Sequence, residues 1–437
     1  MGTFLVNTRK YYQNCYTNCL VMSRYFTAEF FVRNREQLQI LFSGKAPIVL
    51  SANGLLQSSA DMTFPFRQDR NFWYVTGVDE PDAILVMDKG KEFIILSEDH
   101  EHRARFEGAM TAEQISQASG VAEVLSHKDG WARLTPRLKK VKHIATLAAS
   151  PPYVQYYGFY TNPARSTMIA KIKGINQAIE LLDLKQHFGT MRMIKQPQEL
   201  DAIRAAIEVT AKTLKSVSSK AFLPQTTEAD IDNELRYQFR KKGADGLAFD
   251  NVVAAGGNAA IIHHIQNQTP LPKNGLLLLD VGAEVDHYAA DITRVYSVGR
   301  PTKRMQQVFD LAVDALEQAI SMLKTGVLPQ KFEEEMVHVV GEKLRILGLI
   351  KTIDKESVRK YFPTYTSHHL GLDAHDASDR DAPLAPNMVL AVEPGIYIPE
   401  EGIGVRVEEN VLITKDGCEV LTSRLPRALT SLTIKEV

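Results

Sequence analysis

The chain has 437 residues, of which 44% are hydrophobic and 24% charged, and its 51 Lys and Arg nearly balance its 52 Asp and Glu. That is the profile of a soluble globular protein of two or three domains with ample core. The charge balance gives no field for nucleic acid or a membrane surface, and no apolar run approaches the roughly 18 residues of a spanning helix, so neither partner is expected.

The opening stretch, MGTFLVNTRKYYQNCYTNCLVMSRYFTAEF, carries Arg9, Lys10 and Arg24 but no acidic residue before Glu29. A basic, acid-poor start is the composition of a transit peptide, and the missing apolar segment argues against secretion. Residues 1–27 read as an extension without ordered structure, or as sequence ahead of a start near Met22. Cys15, Cys19 and Cys418 make no disulfide framework, and the first two lack a second pair or nearby histidines for zinc. A reducing compartment fits, the cytoplasm ahead of the mitochondrion.

From 28 to 185 the pattern is that of an α/β domain. FVRNREQLQILF has helical spacing, APIVLSA reads as a buried strand, AILVMDKGKEFIIL as a hairpin turning at Lys89 and Gly90, and KHIATLA as a further strand. QHFGTMRMIKQPQ, residues 186–198, reads as the link into a second domain, 186–437. There PQELDAIRAAIEVTAKTLKSV sets Leu200, Ile203, Ile207, Leu214 and Val217 in a helical stripe behind Pro197. TTEADIDNELRYQFRKKG is a second helix, with Thr227 and Asp230 as its capping pair and Gly243 as its stop. The strands DNVVAAG, LLLLDVG and TRVYSVG follow. Two more helices, in RMQQVFDLAVDALEQAISMLKTG and KFEEEMVHVVGEKLRILG, precede the strand pair MVLAVEPGIYI and GVRVEENVLIT. Two helices then strands, twice over, predicts an α+β domain of two similar halves.

The strands carry charge where the pattern calls for core. Asp280 closes the run LLLLD, and Asp291 opens the run ITRVYSV. A hairpin turning at Val285 and Asp286 would set Asp280 opposite Asp291, a few ångströms apart on one face. Two ionised carboxylates at that distance repel; either they are a turn residue and a cap, or a cation lies between them. The second half repeats the anomaly. Glu393 interrupts VLAVEPGIYI, and in GVRVEE Arg406 and Glu408 share one strand face while Val405 and Val407 take the other. His263 and His264 stand in NAAIIHHIQNQ, and His368, His369 and His375 in TSHHLGLDAHD. A lone histidine or strand-end glutamate has an ordinary explanation as a satisfied core or surface residue. Four carboxylates at strand ends, two per half, with histidines beside them, make a site that a cation would stabilise.

The set DVGAEVDHYAADITR, SHHLGLDAHD, AVEPGIY and GVRVEENVLIT resembles the dinuclear metallopeptidases of the pita-bread fold. It is most similar to aminopeptidase P (Xaa-Pro aminopeptidase), with prolidase close behind. FRQDRNFWYVTGVDEPDAILVM resembles that group's non-catalytic N-terminal domain, so the likeness runs from about residue 28 onward. The resemblance implies a pita-bread catalytic domain with pseudo-twofold halves and a metal-dependent aminopeptidase that releases the residue ahead of a penultimate proline. It also implies two divalent metal ions. Asp280 would bind one, Asp291 and Glu408 would bridge both, and His368 and Glu393 would complete the second. An oxygen-rich set with one imidazole suits manganese (Mn2+), with zinc, cobalt and iron as competitors. A hydroxide bridging the metals would attack, and Glu393 would handle its proton. By the same resemblance His263 and His375 line the substrate pocket, His375 donates to the carbonyl oxygen, and Arg406 ties down a ligand carboxylate. A homodimer or homotetramer acting on peptide substrates is also implied.

A bond before proline is a tertiary amide without N–H, and the ring fixes φ, so such a site selects by shape. One position departs from the family pattern. Where many relatives carry a histidine four residues ahead of the metal-binding one, TYTSH places Thr364; threonine donates one hydrogen bond but carries no positive charge. The S-H-x-L-G match puts the metal ligand at His368 and not its neighbour His369. Ser367, where prolidases commonly have glycine, favours aminopeptidase P over a prolidase restricted to Xaa-Pro dipeptides. A metal-free peptide-binding scaffold of the same fold would have lost ligands, and all five positions are present.

Overall fold

The computed structural model describes residues 23–148, 150 and 152–435, and the chain divides into two compact units, Met1–Phe188 and Gly189–Val437. The basic stretch with Cys15 and Cys19 lies outside the described residues. No helix among the described residues is long and apolar enough to cross a membrane.

In the first unit a six-stranded mixed sheet runs in the order Val124–Leu125, Lys91–Ile95, Ile84–Asp88, Ile48–Ser51, His143–Thr146, Glu180–Asp183. Lys89 and Gly90 both take positive φ, 52° and 72°, the geometry of a two-residue turn whose twist matches the strands it joins. One cluster buries Val49, Val86 and Ile95 of the sheet with Trp131, Leu134 and Ile172 of the helices His127–Leu138 and Ala164–Ile175. Ahead of the helix Ala28–Phe42, the ring of Phe26 is buried 5.3 Å from that of Trp73, so packing begins before residue 28.

In the second unit the helices Pro197–Ser218 and Glu228–Lys241 precede a five-stranded sheet. Its order is Val252–Ala255, Gly275–Val281, Ile292–Val298, Thr430–Ile434, Ala221–Phe222. The helices Lys303–Met322 and Pro329–Ile346 precede a four-stranded sheet, ordered Ser367–His369, Val389–Val392, Glu409–Ile413, Cys418–Val420. Thr227 and Asp230 exchange the reciprocal bonds of a capping box at the second helix. Across the segment 186–198, Lys185–Met193 is helical and Pro197 opens the helix Pro197–Ser218.

Alternation along Gly275–Val281 sends Leu276 and Leu278 into a core shared with Leu390, Val392 and Val405 of the second half, and Asp280 follows on that same face. The run GVRVEENVLIT is two strands. Ile403–Arg406 pairs with Gly395–Ile398, and Glu409–Ile413 with Val389–Val392, which leaves Val407 and Glu408 at a break. MVLAVEPGIYI breaks likewise at Glu393 and Pro394, where proline has no N–H for a ladder.

The hairpin register differs from the expected one. The turn falls at Asp286 and His287, with φ of 45° and 69°, and Val285 faces Tyr288. Asp280 is therefore opposite Thr293 and not Asp291. Turn chemistry explains it: both central residues of this turn are left-handed, which Asp and His tolerate and β-branched Val285 does not. Moving the turn by one residue shifts every pair by two, so Asp291 keeps the face of Asp280. Gly282 lies beside Ala290 at this point, where a Cβ would stand 1.9 Å from the Ala290 carbonyl oxygen.

Candidate metal centre

Asp291, His368 and Glu408 each offer a ligand atom within 4.8 Å of the others. They arrive from the start of Ile292–Val298, from Ser367–His369 and from the break ahead of Glu409–Ile413. Nε2 of His368 lies 3.7 Å from Asp291 Oδ2 and 3.4 Å from Glu393 Oε1. Asp280 joins through Arg406, whose Nη2 donates to Asp280 Oδ2 at 2.5 Å and whose Nε lies 3.6 Å from Glu393 Oε2. These five candidate ligands and Arg406 meet in one place. Because Ser367–His369 is a strand, His369 points the other way, and burial drives its pKa down to about 3.

Two polar side chains complete the cluster. Thr293 Oγ1 donates to Glu408 Oε2 at 2.7 Å and accepts from Arg406 Nε at 3.0 Å. Arg406 Nη1 donates to Tyr397 Oη at 2.6 Å. Sequence reasoning missed both. Thr293 had a signal, since it stands two residues beyond Asp291 on the same strand face. Tyr397 had none, and enters through the pairing of Gly395–Ile398 with Ile403–Arg406. Asn410 joins the halves, accepting from Asp291 N at 3.3 Å and donating to Asp291 O at 2.5 Å.

His375 stacks on His368 with ring centroids 3.9 Å apart and planes 12° from parallel. The charge of a protonated His368, then burial, lowers the His375 pKa. His263 is exposed, beyond the turn Gly256–Ala260, and its charge is a lesser cause of the lowered His375 pKa. Among the described residues it makes no hydrogen bond to the carboxylates. Thr364 Oγ1 is buried without a hydrogen-bond partner, while its carbonyl accepts from Arg359.

The residues present fit divalent metal ions. Four carboxylates face a single guanidinium, and Asp280 Oδ1 and Glu408 Oε1 are buried with no hydrogen-bond partner. An open buried acceptor costs about 1–3 kcal/mol, more when charged. Burial, followed by the charges of neighbouring carboxylates, pushes the Asp291 and Glu408 carboxyls up. At Glu393 burial raises the carboxyl, but the His368 hydrogen bond and the positive charges of His368 and Arg406 together outweigh it and hold the carboxyl down. Divalent cations would ligate the open oxygens and offset the repulsion together. Carboxylates with one imidazole are a hard to borderline donor set suited to such ions.

Residues 201–415 match the metallopeptidase family M24, and residues 31–145 match the aminopeptidase P N-terminal domain. An Xaa-Pro aminopeptidase of Haemophilus influenzae is 30% identical, over 85% of this chain and 89% of its own length. The chain belongs to metallopeptidase family M24. This M24 chain is also similar to intermediate cleaving peptidase 55, mitochondrial, of Arabidopsis thaliana, at 27% identity over 92% of this chain and 81% of that one. Aminopeptidase P from E. coli, solved with the inhibitor Pro-Leu, matches its fold with a TM-score of 0.81 at 26% identity, over 92% of this chain and 96% of that one. The M24 protein is a hydrolase that works with divalent metal ions, and its catalytic domain has the pita-bread fold.

Proposed function

We propose that this M24 metallopeptidase releases the N-terminal residue from peptides with proline in the second position. The observation that carries the reading is the convergence of Asp291, His368 and Glu408 within 4.8 Å, in a chain that also has an aminopeptidase P N-terminal domain. Asp280, Asp291, His368, Glu393 and Glu408 would hold two divalent ions, and their oxygen-rich set favours manganese over zinc, cobalt or iron. When bound, the ions supply Lewis acidity to the scissile carbonyl and to the attacking water.

The chain's own side chains do the rest. A Glu393 carboxylate oxygen accepts the proton of the attacking water and delivers it to the leaving nitrogen. His375 offers a ring N–H to donate to the carbonyl oxygen as it becomes tetrahedral. His263 lines the substrate pocket. Arg406 fixes Asp280, and Thr293 orients Glu408. With no N–H on the scissile bond, selection of proline is by the shape of its ring.

Catalysis belongs to residues 186–437, with residues 28–185 as a non-catalytic domain of a homodimer or homotetramer. Three cysteines in 437 residues are too few for a disulfide-rich chain, which supports a reducing compartment and the cytoplasm. The Arabidopsis relative named mitochondrial makes the organelle the alternative that cell fractionation separates.

Hydrolysis with added manganese tests the activity on an Xaa-Pro-Yaa tripeptide, its alanine counterpart and an Xaa-Pro dipeptide. Cleavage of the proline tripeptide is the expected result. Cleavage of the dipeptide alone would make the chain a prolidase, and silence on all three would sink the reading.

A further inference from the structure

Two histidines stand side by side at 263 and 264, and their surroundings differ. His264 is 8% exposed, whereas His263 faces solvent. The segment that carries them leaves the sheet after Ala255, makes the turn Gly256–Ala260, and returns at Pro270, which bridges Thr227. One carboxylate holds it. Glu228, fully buried as the first residue of Glu228–Lys241, accepts through Oε1 from Ala255 N at 2.8 Å and Asn258 Nδ2 at 2.9 Å. Through Oε2 it accepts from His264 Nε2 at 3.0 Å and Thr269 N at 2.9 Å. An ionised carboxylate has about four acceptor positions, and all are filled. Burial alone would raise this carboxyl, but the donors outweigh it and hold its pKa below the usual range.

Those four donors lie at the start, the turn, the middle and the end of the segment. Asn267 adds a second anchor, accepting from Val253 N at 3.1 Å and donating to Asn251 O at 2.8 Å. With His264 drawn inward to Glu228, its neighbour His263 is left exposed to solvent, within electrostatic reach of His375.

We infer that Glu228 and His264 are positioning residues for the peptidase: their buried pair selects which of the two consecutive histidines meets the substrate and fixes it there. The inference rests on the reading of His263 as a substrate-pocket residue.

A double-mutant cycle on the full chain, with metal content measured, tests it. Glu228→Gln keeps the side-chain volume, but its amide nitrogen cannot accept, so part of the segment loses its anchor. The expected result is that E228Q keeps its metal and lowers kcat on the proline tripeptide about tenfold. His263→Ala alone lowers kcat at least as far, and E228Q in the H263A background lowers it no further. A residue serving stability alone would cost the same factor in both backgrounds. That additivity overturns the inference, as does wild-type kcat in E228Q. If E228Q fails to fold, His264→Phe probes the same link from its other partner. An active wild-type chain with an unimpaired H263A overturns this inference and leaves the activity standing. A wild-type chain silent on every peptide overturns both.

Discussion

Arg406 donates to Asp280 across 2.5 Å, and its guanidinium is 2% exposed among Glu393, Thr293 and Tyr397. One fixed cation thus stands among four carboxylates. Arg406→Met removes it and leaves buried negative charge uncompensated, which costs about 3–5 kcal/mol. Divalent ions in the site would offset most of that charge. The expected outcome is a large loss of stability in chelator and a much smaller one with manganese, read by denaturant unfolding. Equal losses in both would mean that Arg406 and the metal ions do not share one charge balance.

The proposed bridging carboxylates separate from the proposed acid. Asp291→Asn or Glu408→Gln should lose metal and activity together, because each removes a charged ligand from a site built on repulsion. His375→Ala should keep its metal and lower kcat by about 100-fold or more, the usual cost of losing one donor to a developing oxyanion. Metal per chain and kcat, measured on the same preparations, check both. Full activity in either bridging variant would sink the assignment.

Glu199 gives the fold a pH dependence away from the metal site. Its carboxyl is 1% exposed, accepts from Tyr288 Oη at 2.8 Å and Gln196 N at 2.9 Å, and is pushed by burial up to about 7. The folded state therefore holds a proton that the unfolded chain releases, with its ordinary pKa of about 4.3. Stability falls as pH rises between those two values. Glu199→Gln does not titrate, so relative to wild type it should gain stability from pH 5 to pH 8, by at most about 3 kcal/mol. Urea unfolding at the two pH values checks it; a constant difference would mean that Glu199 is ionised throughout.

The candidate ligands were legible because each broke a local rule. Asp280 and Glu393 interrupt apolar runs, and an interruption is visible without a structure. Thr293 is no less central, but a threonine in a strand breaks nothing. Glu228 was hidden for a similar reason: an acid in the first turn of a helix is already accounted for by the helix dipole. The hairpin shows how a wrong intermediate can leave a conclusion intact. Its turn was set one residue early, yet the period of two kept Asp280 and Asp291 on a common face. The strand breaks at Glu393 and Glu408 fall inside runs that look continuous by pattern, and Pro394 is the local signal for the first.

Thr364 stands where the resemblance leads one to expect a histidine, and its Oγ1 is buried with no hydrogen-bond partner. Arg359 and Glu333 hold the adjoining backbone through Thr364 O and Thr366 N, so the hydroxyl is not needed to place the segment. A hydroxyl that leaves water and gains no partner costs stability. Thr364→Val keeps the shape and should stabilise the chain by up to about 1 kcal/mol, a rise in Tm of a few degrees. An unpaired buried polar group that is kept despite its cost points to a partner met only in the complex. The expected outcome is therefore a higher Tm together with a kcat/KM several-fold lower on the proline tripeptide. A higher Tm with kcat/KM unchanged would mean that the hydroxyl meets no substrate.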